Sequence, residues 1–167
     1  MPRVLVTGMS GTGKSTVLGE LARRGHRVVD TDSGGWSEDV TSPDGSGSEQ
    51  LWREDRMSAL LAEDVAAPLF VSGCTSNQGK FYDRFDAVVL LSLPVEVLLE
   101  RVASRVTNPF GKDPAERERI LRDLDTVEPL LRATSTAEIE ATRPLGEIVD
   151  AVEALGLGAN STRGLSG

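Results

Sequence analysis

Gly8-Met9-Ser10-Gly11-Thr12-Gly13-Lys14-Ser15 fits the pattern G-x-x-x-x-G-K-[ST] at every fixed position. In such a loop the glycines let successive backbone N–H groups turn inward around phosphate oxygens without a Cβ in the way. A helix opening at Lys14 adds the positive end of its dipole. Lys14 is then placed to bridge the β- and γ-phosphates of a nucleoside triphosphate, and the Ser15 hydroxyl to ligate Mg²⁺. Gly8, Ser10, Gly11, Thr12, Gly13, Lys14, Ser15 and Thr16 form the candidate nucleotide-binding set. Thr16 stands where a dinucleotide fingerprint would need its third glycine, which excludes that reading.

Further along lie groups suited to the other end of a phosphoryl transfer. Asp30-Thr31-Asp32 closes an apolar stretch, and a carboxylate opposite a phosphate loop can orient a hydroxyl or take its proton. Asp at the end of a strand is also ordinary loop chemistry. In Leu51-Trp52-Arg53-Glu54, the Arg53 guanidinium offers a planar fork for a carboxylate or phosphate, although Arg and Glu also fill solvated helix faces. Arg101 and Arg105 lie one helical turn apart and share a face. An arginine that arrives on closure can stabilise charge spread over a transferring phosphoryl group.

These residues must be held by alternating strands and helices. Residues 3–7, 26–30, 68–72, 87–91 and 137–140 read as strands, the third and fourth nearly continuous in apolar character, as strands covered on both faces are. Helices are expected from Lys14 to Arg24, from Ser48 to Glu63, after Pro94, from Pro114 to Arg132 and from Pro144 to Leu155. The stretch from Ser33 to Gly47 is rich in Gly, Ser, Asp and Pro and reads as an irregular loop. Residues 1–155 read as one domain and 156–167 as a flexible C-terminal tail. Alternation of this kind implies an α/β sandwich that binds ligands at the carboxyl ends of its strands.

Composition narrows the partners. The 167 residues, 39% apolar and 26% charged, suit one globular domain. A net charge of −8 argues against general attraction to nucleic acid. No apolar run approaches a membrane span, the N-terminus carries no signal-peptide pattern, and the single Cys74 cannot form an internal disulfide. The expected location is cytoplasmic, with no membrane partner and a monomer or homodimer as the assembly. Cys74 reads as a small packing residue, since nothing nearby would activate it.

Taken together, residues 3–155 resemble small P-loop kinases of the shikimate, gluconate and adenylate kinase type. The resemblance implies a P-loop NTPase three-layer sandwich with a parallel five-stranded sheet, order 2-3-1-4-5, and a short lid. It implies ATP and Mg²⁺ as cofactors and phosphoryl transfer to a small polar metabolite. Asp30-Thr31-Asp32 is similar to the Asp-x-Asp of shikimate kinases, where the first Asp supports the metal and the second touches the acceptor. Arg53 matches the Arg of their Phe-Arg-x-x-Glu segment, with Trp52 in place of Phe.

After strand three, Gly73 and Lys80 fall in the acceptor-contacting segment, and Cys74, Lys80 and Tyr82 resemble a gluconate kinase pattern with altered spacing. The glycine cluster of shikimate kinases and the Asp-Gly-Phe-Pro-Arg run of nucleotide kinases are both absent. Arg101 and Arg105 resemble the arginine pair before the lid of adenylate kinase-type enzymes, the first stacking on adenine and the second reaching the transferred phosphate. Ala141-Thr142-Arg143-Pro144 resembles their adenine loop, with Pro144 packed on the base. The resemblance thus assigns Lys14, Asp32 and Arg105 to catalysis, and Ser15 and Asp30 to the metal. It assigns Arg101, Arg143 and Pro144 to the nucleotide, and Asp32, Arg53, Gly73 and Lys80 to the acceptor.

A nucleoside or nucleotide kinase is the alternative within this group, and an ATP-binding regulatory or switch module the alternative outside it. A hydrolytic switch would need an Asp-Asp or Asp-Glu pair after an apolar strand. Ser72-Gly73 and Ser92-Leu93-Pro94 supply none.

Overall fold

A computed structural model describes residues 3–9, 12–32, 34–41, 48–63, 67–75, 77–103, 118, 121–122 and 124–166. Strand β1 (Arg3–Thr7) pairs in parallel with β5 (Leu69–Ser72) on one side and β6 (Ala87–Ser92) on the other. Strand β2 (Arg27–Asp30) extends the sheet beyond β5, and β7 (Ala137–Glu140) extends it beyond β6. The resulting order, β2-β5-β1-β6-β7, is the 2-3-1-4-5 arrangement expected for five parallel strands.

Residue alternation along the central strands splits the core into two layers. Val4, Val6 and Phe70 face one way, onto Val17, Leu18 and Leu21 of α1 (Lys14–Arg23) and Ile148, Val149 and Val152 of α5 (Leu145–Ser166). Leu5, Leu69 and Val71 face the other way, onto Met57, Leu60 and Leu61 of α2 (Glu54–Ala62). Helix α3 (Val95–Ala103) follows β6, and α4 (Glu128–Thr134) precedes β7.

Four elements differ from the sequence reading. The stretch read as irregular contains strand β3 (Ser37–Thr41), antiparallel to β4 (Ser48–Trp52), so α2 begins at Glu54 rather than Ser48. The physical reason is Trp52, which is 1% exposed and ties its strand to the core. Its Nε1 donates to Thr31 Oγ1 at 2.9 Å, and Asn77 brackets its backbone, accepting from Trp52 N and donating to Trp52 O, each at 3.0 Å. A helical backbone would have used those two groups internally.

The helix read through to Arg132 is interrupted by a turn at Val127, and a new helix starts around Pro129, which has no N–H to continue the ladder. Between β5 and β6, residues Gln78–Arg84 form a 3-10 helix within the segment read as an acceptor loop.

Helix α5 also runs past Leu155 to Ser166 instead of giving way to a tail at 156. Gly156, read as a breaker, is a packing position. A Cβ there would lie 2.5 Å from Phe70 Cζ, so only glycine lets the helix cross that ring.

Helix propensity alone makes Gly156→Ala stabilising by about 1 kcal/mol. Overpacking against a fully buried ring on a central strand costs about 1–3 kcal/mol and should win. Gly156→Ala is therefore expected to lower the urea midpoint. Gly19→Ala, on the exposed face of α1 with open space around its Cα, should raise it.

Candidate active site

Strand β1 ends at Thr7, and the chain turns at Gly8 so close to β6 that a Cβ would meet Leu91 O at 2.5 Å. Gly13, at φ 96, caps α1 in the left-handed region, and its carbonyl accepts the first helical bond from Val17 N at 3.0 Å. Thr12 Oγ1 donates to Met9 O at 2.8 Å, stitching the loop internally. Lys14 Nζ lies back along the loop and donates to Gly8 O at 2.7 Å and Met9 O at 3.1 Å. Ser10 and Gly11 fall outside the described residues.

The end of β2 meets this loop. Ser15 Oγ donates to Asp30 Oδ2 at 2.7 Å, bringing together the two residues expected at a metal. Hydroxyl and carboxylate oxygens suit a hard cation such as Mg²⁺. Among the described residues no group of three or more His, Cys, Asp or Glu side chains could hold a metal by itself. A cation held by Ser15 and Asp30 would complete its shell with phosphate oxygens or water.

Thr31, between the two aspartates, points inward. Its Oγ1 donates to Ser72 O at 2.7 Å and accepts from Trp52 Nε1. Thr31 is buried in the turn after β2, which leaves Asp30 half-buried and Asp32 exposed on either side of it. The Asp32 amide donates to Asp30 Oδ1 at 3.0 Å, fixing the second carboxylate relative to the first. Asp32 keeps solvent access, yet partial burial, and after it the Asp30 charge, raises its carboxyl above the usual range, while Lys14 pulls it down. Asp32 therefore feels both the metal-side carboxylate and the phosphate-side cation.

On the other side of the loop, Thr12, Gly13, Thr16, Arg101 and Arg143 line one cavity of about 200 Å³ with apolar Val17, Leu145 and Ile148. All five polar or glycine members were expected at the nucleotide, and they converge from α1, α3 and the turn before α5. Arg101 Nη2 donates to Ala141 O at 3.1 Å, which holds the guanidinium at the cavity wall. Pro144 is not among the lining residues. Its carbonyl starts α5, accepting from Glu147 N and Ile148 N, and Leu145 takes the apolar place beside the cavity.

The acceptor-side residues are dispersed. Gly73 is buried, and a Cβ there would lie 2.4 Å from Thr31 Oγ1 and 2.9 Å from Trp52 Nε1, so its smallness serves the Thr31–Trp52 contact. Arg53 sits before α2 with Nη1 3.8 Å from Glu38 Oε2. Lys80 Nζ pairs with Glu54 Oε2 at 3.0 Å, a bond that holds the Glu54 carboxyl below its usual range. Arg105, the lid loop and the helix start at Pro114 lie outside the described residues.

Sequence reasoning missed Thr31 and Gln78. The only signal for Thr31 was its place inside Asp-x-Asp. Gln78 read only as a polar side chain of the acceptor-contacting segment between Gly73 and Lys80, yet it is 2% exposed and donates from Nε2 to Thr7 Oγ1 at 3.0 Å, bracing the start of the phosphate loop. Cys74 packs on the main core, and burial pushes its thiol above the usual value, opposed by Lys14 and by hydrogen bonds with Thr7 and the Gly8 backbone.

A family described as an AAA domain matches residues 4–122. The chain belongs to that family. Among solved structures it is similar to shikimate kinase from Acinetobacter baumannii in complex with shikimate, at 21% identity and TM-score 0.65, over 95% of this chain and 94% of that one. A gluconokinase from Sinorhizobium meliloti 1021 is similar at 23% identity and TM-score 0.58, over 99% of this chain and 98% of that one. Shikimate kinase from Aquifex aeolicus is similar at 20% identity and TM-score 0.59, over 95% and 98% respectively. No curated protein matches the sequence significantly. At these identities the likeness establishes the fold, and the small P-loop kinase fold expected from the sequence is the one the family member has.

The raised Asp32 carboxyl makes a signed prediction. Ionisation at neutral pH opposes folding when the folded pKa exceeds the unfolded one, and the penalty vanishes once both states are protonated. Asp32→Asn should therefore have a higher urea midpoint than the parent protein at pH 7. That advantage should shrink as pH falls from the raised value through the ordinary Asp range, as followed by denaturation at several pH values. An advantage that stays constant with pH would contradict the assignment.

Proposed function

We propose that the protein is an ATP-dependent phosphotransferase acting on a small acceptor, with a kinase-like division of labour across the phosphate loop. The observation that carries this reading is the meeting of Ser15 with Asp30 at 2.7 Å beside an Asp32 that feels both Lys14 and Asp30. A module that only binds nucleotide needs the loop and a metal ligand and has no use for a second carboxylate coupled to the loop lysine. A hydrolytic one would draw its carboxylate pair from the end of β5 or β6, where Ser72-Gly73 and Ser92-Leu93-Pro94 supply none.

In this scheme the loop amides and Lys14 bind and orient the phosphates, and the cavity walled by Arg101 and Arg143 receives the base. Ser15 and Asp30 would hold Mg²⁺, which when bound offsets charge on the phosphates. Asp32 orients the acceptor hydroxyl and takes its proton as the bond from that oxygen to the γ-phosphorus forms and the γ-phosphorus–oxygen bond to the departing ADP breaks. Partial burial supports this role by raising the basicity of the carboxylate. Arg105, placed by resemblance one turn beyond Arg101, would meet the transferring group. Among the described residues no helix is long and apolar enough to cross a membrane. The proposal keeps the cytoplasmic location and the monomeric or homodimeric assembly expected from the sequence.

ADP release with Mg·ATP should be stimulated by a member of an acceptor panel of shikimate, gluconate, nucleosides, nucleoside monophosphates, aminoglycosides and simple alcohols. Lys14→Met should reduce the stimulated rate by about 10²–10³-fold, as for the loss of a charge-stabilising group. Ser15→Ala should raise the Mg²⁺ concentration for half-maximal rate about 10–100-fold. ADP release at one rate with and without every acceptor would reject the kinase reading in favour of a hydrolytic module.

A further inference from the structure

A second cavity, of about 270 Å³, lies between the 3-10 helix and α4. Val127, Leu130 and Leu131 form one wall, and Thr75, Gln78 and Tyr82 line the other. Among the described residues, none that lines it is charged. Its volume falls below the roughly 300–1,000 Å³ of pockets that take a whole drug-sized ligand, so it suits one group of a molecule. Leu130 is 67% exposed, a large apolar side chain left facing solvent at the rim.

This cavity lies beside the phosphate loop, with Thr75 and Gln78 at its near edge. Thr75 follows Cys74, which hydrogen-bonds Thr7 and the Gly8 backbone and feels the charges of Lys14 and Asp32. Gln78 donates from Nε2 to Thr7 Oγ1 at 3.0 Å and to Tyr82 Oη at 2.8 Å, and its Oε1 accepts from Thr75 N at 3.0 Å. Those bonds spend the polar atoms of Gln78 on the protein. Opposite, α4 is pinned by Arg132, which bonds Glu128 at 2.7 Å and Glu138 at 2.8 Å, while Glu138 also accepts from Ser92 Oγ at 2.8 Å. The apolar wall is therefore fixed, and the Arg132 guanidinium is engaged by Glu128 and Glu138. Arg53 and Lys80, the cations expected to grip an anionic acceptor, are directed toward Glu38 and Glu54 instead.

From this arrangement we propose that the acceptor carries an uncharged, predominantly apolar group, which seats between Val127, Leu130 and Leu131 while its hydroxyl reaches toward Asp32 and Lys14. The proposal rests on the kinase reading for the hydroxyl and on the cavity alone for the apolar group. A carboxylate placed there would lose hydration against three aliphatic side chains, with no cation among the described lining residues in return. An alkyl or aryl group would instead remove Leu130 and its own surface from water. Acceptors of the polyol-acid kind are disfavoured by the same wall.

The test follows methyl resonances of Val127, Leu130 and Leu131 in the full chain with Mg·ADP, titrated with benzyl alcohol, shikimate or gluconate. Benzyl alcohol should shift these methyls saturably, and the two acids should not. Leu130→Asp, at an exposed position where folding should survive, should weaken the benzyl alcohol response at least about tenfold. Absence of a saturable shift, an equal shift at exposed Leu157, or saturation by shikimate or gluconate overturns the proposal. Leu130 shifts that follow protein concentration instead would assign the wall to self-association and also overturn it.

ADP release on the same samples separates the two readings. Methyl shifts without ADP release under any acceptor leave the cavity's preference standing and reject the kinase. Release stimulated by gluconate or shikimate without benzyl alcohol shifts keeps the kinase and rejects the apolar seat.

Discussion

Everything at the site depends on where β1 ends. That strand is hydrogen-bonded on both sides, to β5 and to β6, and Val4, Leu5 and Val6 are fully buried. Its carboxyl end cannot shift without disturbing both neighbours. The loop that follows grazes the backbone of β6 at Leu91, so its path is set by the sheet as well as by its own glycines. The phosphate loop is thus the extension of the central strand of the sheet, paired on both sides. This fixes donors in advance, so that little ordering remains to be done on binding.

A second constraint acts at right angles to the first. The buried bond from Trp52 Nε1 to Thr31 Oγ1 couples the β3–β4 hairpin to the turn that carries Asp30 and Asp32. Trp52 also packs with Phe81 on the α2 side of the sheet, at a centroid separation of 5.8 Å. One aromatic side chain therefore helps set three things: the hairpin, the direction of two carboxylates and the seat of the 3-10 helix. Gly73 belongs to the same contact, since any larger residue would collide with both partners. A residue assigned by resemblance to acceptor contact has, in this chain, a packing reason for being glycine.

The nucleotide side is built differently, from elements far apart in sequence. Arg101 reaches back to Ala141, closing the cavity between α3 and the start of α5. Helix α5 is in turn held against α1 by the buried layer around Val149 and Val152 and by Glu153, which meets both Arg24 and His26. The exposed members of that ion cluster contribute little, and the apolar layer carries the packing. The two halves of the site thus rest on opposite faces of one sheet.

Much of this was legible in residue order. The strand runs and the phosphate loop follow from local patterns whose periodicity and punctuation are strong, while the meeting of Ser15 with Asp30 and of Arg101 with Arg143 was implied only by the resemblance to small P-loop kinases. Local pattern could not show the hairpin. Ser37–Thr41 and Ser48–Trp52 carry polar residues of modest strand preference, and they form strands because Trp52 is buried and Asn77 satisfies its backbone. Nor could it show that Gly156 is a contact rather than a stop, because Phe70 lies far away in sequence.

The same holds for the charges. By itself the sequence determined which residues can hold phosphate, since that chemistry is written in consecutive positions. Tertiary structure alone decided that Arg53 and Lys80 face carboxylates, that Thr31 orients the aspartates and that an apolar cavity lies beside the phosphate loop. Those outcomes depend on which distant side chains satisfy or exclude one another, and only the packed sheet brings them together.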